Sequence, residues 1–178
     1  MSQKPSPRTS PAAGEGRYLT FTLGDESYGF PVLSVREIIR ICPITPVPRM
    51  PTHVKGVINL RGTVIPVLDL RAKFQVAAKS YGERTCIIVV QVAAPSGGST
   101  LMGAIVDAVE EVVQLTAGDI EATPDFGGAP DTQYILGLAT IQGGVKILLN
   151  IERIFLEEGT LSLPPISKLQ PSTQPEKI

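Results

Sequence analysis

Tryptophan is absent, histidine occurs once and aromatic residues make up 5% of the 178-residue chain, so any core must be assembled from aliphatic side chains. Valine and isoleucine fit pleated, half-buried surfaces, and their dominance favours β structure. The single histidine, His53, excludes a multi-histidine metal site and a histidine-based catalytic dyad. Beside Pro51 and Thr52 on an approach loop, it reads as a surface or hydrogen-bonded imidazole rather than a general base. The two cysteines, Cys42 and Cys86, both lie in apolar runs. Reduced core thiols are the expected state, with a disulfide between them as the lesser alternative. CxxC, GxGxxG, Walker and GxSxG patterns are all missing, and the glycines fall in hairpin turns rather than ahead of helices. These absences offer no machinery for an enzyme, a cofactor or a metal. A small β-barrel enzyme or ligand-binding protein would need a pocket with convergent polar groups, for which Asp107, Glu110 and His53 are the only suggestion.

Charge of either sign is also unconcentrated. Lys and Arg number 16 against 17 Asp and Glu, giving a net charge of −1, and no basic block is long enough to track phosphates. Nucleic acid is therefore not an expected partner. No apolar stretch reaches the roughly 18 residues of a membrane span, and the first residues lack an apolar signal core. A cytoplasmic protein without direct membrane insertion is the expectation. Met1 to Arg17 is rich in Pro, Ser, Gly and Ala and is expected to be a disordered leader, and residues 159–178 a flexible proline-rich tail.

What is present is a chain of short β-rich runs. Hydrophobic residues make up 43% of the sequence with a mean hydropathy of +0.17, values of a globular domain. YLTFTL alternates Leu19, Phe21 and Leu23 against Tyr18, Thr20 and Thr22, and Gly24-Asp25 turns it into SYGFPV. Leu33 to Arg40 places Val35, Ile38 and Ile39 at helical spacing with Ser34 and Glu37 as a capping box, which predicts a short helix. The prolines at 43, 46, 48 and 51 then predict an extended, edge-like segment.

The run Val54 to Phe74 organises the rest. VKGVINL and TVIPVLDL flank Arg61-Gly62, a two-residue reversal. If Leu60 faces Thr63, then Ile58, Leu60, Ile65 and Val67 share one face, while Val57, Asn59, Val64, Pro66 and Leu68 share the other. Both faces are largely apolar, which predicts a ribbon covered on both sides with Arg61 pushed out at its tip. One helical turn over LDLRAKF follows, then a doubly buried strand in RTCIIVVQVA and a loop, APSGGST. LMGAIVDAVEEVVQLT reads as two strands broken near Asp107, with Asp107, Glu110 and Glu111 as a solvated strand end. Ala117 to Thr132 reads as a loop, YILGLATI and KILLNI as a hairpin across Gln142-Gly143-Gly144, and Asn150 as the cap of a terminal helix. About ten strands with two or three short helices predict two small barrels or a split sandwich.

Two charges stand out in these surroundings. Arginine's planar fork suits a carboxylate, and Arg61 can reach one within the chain, Glu37, or one across an interface. The plain alternative is a pair of ordinary surface charges worth about 0–1 kcal/mol. Phe126, set in ATPDFGGAP, is either a plug on the core or an exposed anchor, and the residues alone favour the plug.

FTLGDESYGFPVLSVREI, VKGVINLRGTVIPVLDLR and YILGLATIQGGVKILLNIERI occur in this order and together resemble the CheW family of chemotaxis coupling proteins over about Tyr18 to Glu158. The resemblance implies a domain over 18–158 made of two intertwined, SH3-like five-stranded barrels packed side by side. It implies an adaptor that couples transmembrane chemoreceptors to the histidine kinase CheA, with control of chemotaxis or another output such as twitching motility. Val35, Glu37, Gly56, Asn59 and Arg61 match positions on or near the surface that meets the receptor's cytoplasmic signalling tip. Phe126, with Asp125, matches a contact with the CheW-like regulatory domain of CheA, which turns the reading of Phe126 toward an exposed anchor. For Gly56, a bulge or bend at a strand start remains an equal, compatible reading.

Overall fold

The computed structural model describes residues 15–76, 80–94, 97–122 and 134–157. Alternating side chains build β1 (Gly16–Leu23) and β2 (Glu26–Pro31) into a hairpin in which Leu23 faces Glu26 across Gly24 and Asp25. Next come β3 (Val35–Arg40), β4 (Val54–Leu60), β5 (Thr63–Asp69) and the one-turn helix α1 (Leu70–Lys73). They are followed by β6 (Cys86–Ala93), β7 (Ser99–Val106) and β8 (Ala108–Leu115). Last are β9 (Ile120–Glu121), β10 (Ile135–Ile141), β11 (Gly144–Leu149) and α2 (Ile151–Glu157), where Asn150 Oδ1 accepts from Arg153 N at 3.1 Å as a cap should.

The strands form two sheets, one of six strands in the order β8-β1-β2-β11-β10-β9 and one of five in the order β3-β6-β7-β5-β4. The mainly-β, two-unit SH3-like architecture is therefore as expected. It differs from two closed five-stranded barrels in that, among the described residues, the first sheet has six strands and the end strands of each sheet are not paired with each other. Threading explains the intertwining: the five-stranded sheet is an insertion between β2 and β8, and the chain crosses between sheets at Val32–Ser34 and again at Asp107.

The period of two also explains three cores. On β6, Ile87 and Val89 face a cluster drawn only from the five-stranded sheet, including Ile58, Ile65, Val67 and Ile105. Their neighbours Ile88, Val90 and Val92 face a larger cluster shared with Leu19, Phe21, Leu23 and Phe30 of the six-stranded sheet. Tyr18, Leu115, Ala139 and Leu148 fill a third, smaller cluster within the six-stranded sheet. Each sheet thus curls over its own core and packs against the other through a common one, whose area makes the pair a single unit.

Several sequence expectations require correction. Leu33 to Arg40 is not a helix: Val32–Ser34 makes a single 3-10 turn with Pro31 at its cap position, and Val35–Arg40 pairs antiparallel with β6. The capping box favoured a helix, but two isolated helical turns are marginal, whereas β-branched Val35, Ile38 and Ile39 gain a ladder on the edge of β6 that β7 leaves open. The strand also begins earlier than Tyr18, at Gly16. The stretch from Ala117 is not all loop, because Ala117–Asp119 forms a 3-10 turn closed by a Thr116–Asp119 capping box and Ile120–Glu121 pairs with β10. Cys42 and Cys86, by contrast, are free thiols as expected, and burial pushes the Cys86 thiol up, away from the reactive thiolate.

Candidate docking face

The central hairpin has the expected register, with Leu60 opposite Thr63 and Ile58 opposite Ile65. Arg61 (φ 51°) and Gly62 (φ 89°) both take positive φ, as a two-residue type I′ reversal requires, and Asn59 Oδ1 fastens the turn by accepting from Gly62 N at 2.8 Å. One face is buried as expected at Ile58, Ile65 and Val67. The other is covered only near the base: Pro66 and Leu68 are buried, Val57 and Val64 half-buried, and Asn59 exposed. The ribbon therefore leaves its shelter toward the tip.

Arg61 does stand outward, with 69% of its side chain exposed, and it forks onto Glu37 through Nη1–Oε2 at 3.1 Å and Nη2–Oε1 at 2.5 Å. Glu37 comes from β3, one end strand of its sheet, while Arg61 comes from the turn joining the other end strand, β4, to β5. The ion pair therefore bridges the opening between the two ends. Hydrogen bonding from Arg61 lowers the Glu37 carboxyl below its ordinary range against a smaller cost of desolvation, and the same bond raises the guanidinium.

A second link closes the same gap. Thr45 and Val57 exchange backbone hydrogen bonds of 2.9 and 2.8 Å, which lays the proline-rich segment along β4. Gly56 lies beneath that segment: it is buried at φ 140°, beside a register shift, and a Cβ there would come within 1.9 Å of the Thr45 carbonyl oxygen. Its need for glycine is met inside the chain, by close approach of the chain's own backbone. Val35 is half-buried at the rim of the shared core. The structure thus pairs Glu37 with Arg61 and holds Asn59 in the same turn as Arg61 through Gly62, with Val35 at the core rim and Gly56 under the adjoining segment. Asp125 and Phe126 lie outside the described residues. Leu33, fully exposed, and Ile38, 44% exposed, add apolar surface on β3 and the turn before it.

A second arginine was not anticipated. Arg71 is buried, with Nε and Nη2 donating to the two oxygens of Asp69 at 3.0 Å each and Nη1 donating to Asp107 at 3.1 Å. Those bonds, those to Asp69 foremost, hold the guanidinium above its ordinary pKa despite burial. Asp107 is accordingly a structural anchor and not a solvated strand end, whereas Glu110 and Glu111 are exposed as expected, Glu110 meeting Lys146 at 3.3 Å and accepting from Ser27 at the surface. The signal was legible in VLDLRAKF, where two charges interrupt a run that alternation buries on both sides.

The open cleft beside Asp107, about 490 Å³, is bordered by Thr22, Gly24, Arg84 and Thr85, and neither Glu110 nor His53 is among its described lining residues. Among the described residues no group of three or more His, Cys, Asp or Glu is placed to hold a metal ion, and no helix is long and apolar enough to cross a membrane.

Residues 17–158 match the family model described as the CheW-like domain. The chemotaxis protein CheW of Klebsiella aerogenes is 36% identical over 151 residues, covering 85% of this chain and 88% of the relative. Protein FrzA of Myxococcus xanthus is 31% identical over 145 residues, covering 80% and 87%. Among solved structures, the scaffolding protein TtCheW from Thermoanaerobacter tengcongensis superposes with a TM-score of 0.71 at 30% identity, covering 79% of this chain and 92% of that one.

Proposed function

The chain belongs to the CheW family, and from that premise we propose that it is a scaffold without a reaction of its own, coupling transmembrane chemoreceptors to the histidine kinase CheA. The observation that carries the reading is the exposed Arg61–Glu37 fork, which spans the two end strands of one sheet on a stiff, well-packed support. A face of this kind suits docking. The guanidinium keeps donors that Glu37 does not use, and Asn59, exposed beside the turn, adds polar surface.

Coupling then follows from thermodynamics. The adaptor moves the kinase between activity states only if its contacts with the receptor differ in strength between receptor states. The receptor's cytoplasmic signalling tip takes the face of Val35, Glu37, Asn59 and Arg61, with Gly56 shaping it from below. The CheW-like regulatory domain of CheA takes a second surface that includes Asp125 and Phe126, an assignment resting on the resemblance alone. The similarity to Protein FrzA supports a second reading in which the array served has another output. The test is reconstitution: CheA autophosphorylation is measured with receptor signalling tips, with and without this protein. Receptor control of the kinase only in its presence is the expected result, and control that is equal without it would overturn the proposal.

A further inference from the structure

We propose that Arg71 is a latch between the two sheets, holding shut a corner that otherwise opens on its own while the rest of the domain stays folded. The inference does not depend on the adaptor reading.

The corner is built from three pieces. The first is the β1–β2 turn of the six-stranded sheet, where Gly24 N donates to Asp107 Oδ2 at 2.7 Å. The second is Asp107 itself, the single residue between β7 and β8, whose N–H donates to the Thr22 carbonyl at 3.0 Å. The third is the end of β5, where Asp69 both caps α1, accepting from Arg71 N at 3.0 Å, and receives the Arg71 fork. Arg71 is the cation that joins the second piece to the third.

The cleft against this corner is bordered largely by polar groups, Thr22, Ser80, Glu83, Arg84 and Thr85 among them, so on this outer side polar contacts rather than apolar burial hold it. On the inner side Leu23, Leu70 and Val106, neighbours of the three pieces, are buried in the shared core, so the latch fastens the outer side of the corner. Removing the guanidinium would leave the Asp69 and Asp107 carboxylates facing each other with no charge between them. The cleft gives Asp107, already 19% exposed, a route to water. Swinging the Gly24 turn and Asp107 outward, hinged on Leu23 and Val106 in the shared core, relieves that repulsion and leaves the two clusters private to each sheet untouched. The Tyr81 ring, 5.0 Å from the guanidinium carbon, covers the latch from outside.

Native-state hydrogen exchange on the full chain, read amide by amide by NMR, tests this. In the unaltered protein the Gly24, Arg71 and Asp107 amides should open with the same free energy as Ile88 and Leu148 in the sheet interiors. In Arg71→Met they should exchange at least about tenfold faster than Ile88 and Leu148 of the same variant, after correction for intrinsic rates. Arg71→Lys keeps the charge but loses the fork, and should give the same pattern at smaller amplitude. The latch is overturned if the three amides keep pace with the interior in both variants, if they already exchange locally in the unaltered protein, or if neither variant folds. The last result would mean that Arg71 supports the whole fold and not one corner.

Discussion

Arg61 and Arg71 make the same contact in opposite surroundings. Each forks onto a carboxylate with two hydrogen bonds, yet the Arg61 side chain is 69% exposed and that of Arg71 2%. In water the fork gains little, because solvent competes for every donor and screens the charge, and an exposed pair is worth about 0–1 kcal/mol. In the interior the same fork cannot be removed cheaply, since each partner left behind is a buried charge without compensation. The comparison separates two uses of one chemistry. The outer pair remains exchangeable and so can be offered to a partner, while the inner one is committed to the fold.

The largest expected effect breaks the inner pair. Arg71→Met should lower stability by about 3 kcal/mol, toward the lower end for a broken buried ion pair because Asp107 has a route to solvent. Urea denaturation gives the value, and a loss below about 1 kcal/mol would put Arg71 in the same class as Arg61.

Next comes the segment that closes the sheet beside the outer pair. Gly56→Ala places a methyl against the Thr45 carbonyl and keeps a residue at φ 140°, so a loss of about 1–3 kcal/mol is expected with the Thr45–Val57 bridge broken. Faster exchange of the Thr45 and Val57 amides would check it.

Arg61→Glu should change stability by no more than about 1 kcal/mol, which a denaturation midpoint reads directly. A larger loss would mean that the outer fork also holds its sheet together. Acidification should have the smallest effect. The folded Glu37 carboxyl is held below its unfolded value, so its contribution is fully present above the unfolded pKa and is lost as pH falls through the lower folded one. Binding to a receptor tip should therefore be flat from about pH 7 to about pH 5 with respect to this group, and weaken only in more acid solution.

Much of this contrast was legible in the residues, but unevenly. The hairpin register, its apolar inner face and the outward Arg61 followed from alternation about a two-residue turn, which is a local property of the chain. The break at Asp107 and the cap at Asn150 were local in the same sense. The helix expected over Leu33 to Arg40 failed because a capping pattern and helical spacing are weak when a strand such as β6, already paired with β7, offers its second edge, and that edge is set by topology. The Arg71 cluster was missed for a related reason. Asp69 and Arg71 are neighbours in sequence, but Asp107 and Gly24 reach them only after the chain has crossed between sheets. Gly56 was legible as a bend, while the backbone it makes room for could be named only from the fold.

The most direct test of the central claim, that the outer fork is a docking face and the inner one is not, is a binding titration of Arg61→Glu against a receptor signalling tip, on protein confirmed to be folded. Affinity at least about tenfold weaker than that of the unaltered protein, with the unfolding midpoint nearly unchanged, is the predicted result. Equal affinity would contradict it and remove Arg61 from the interface.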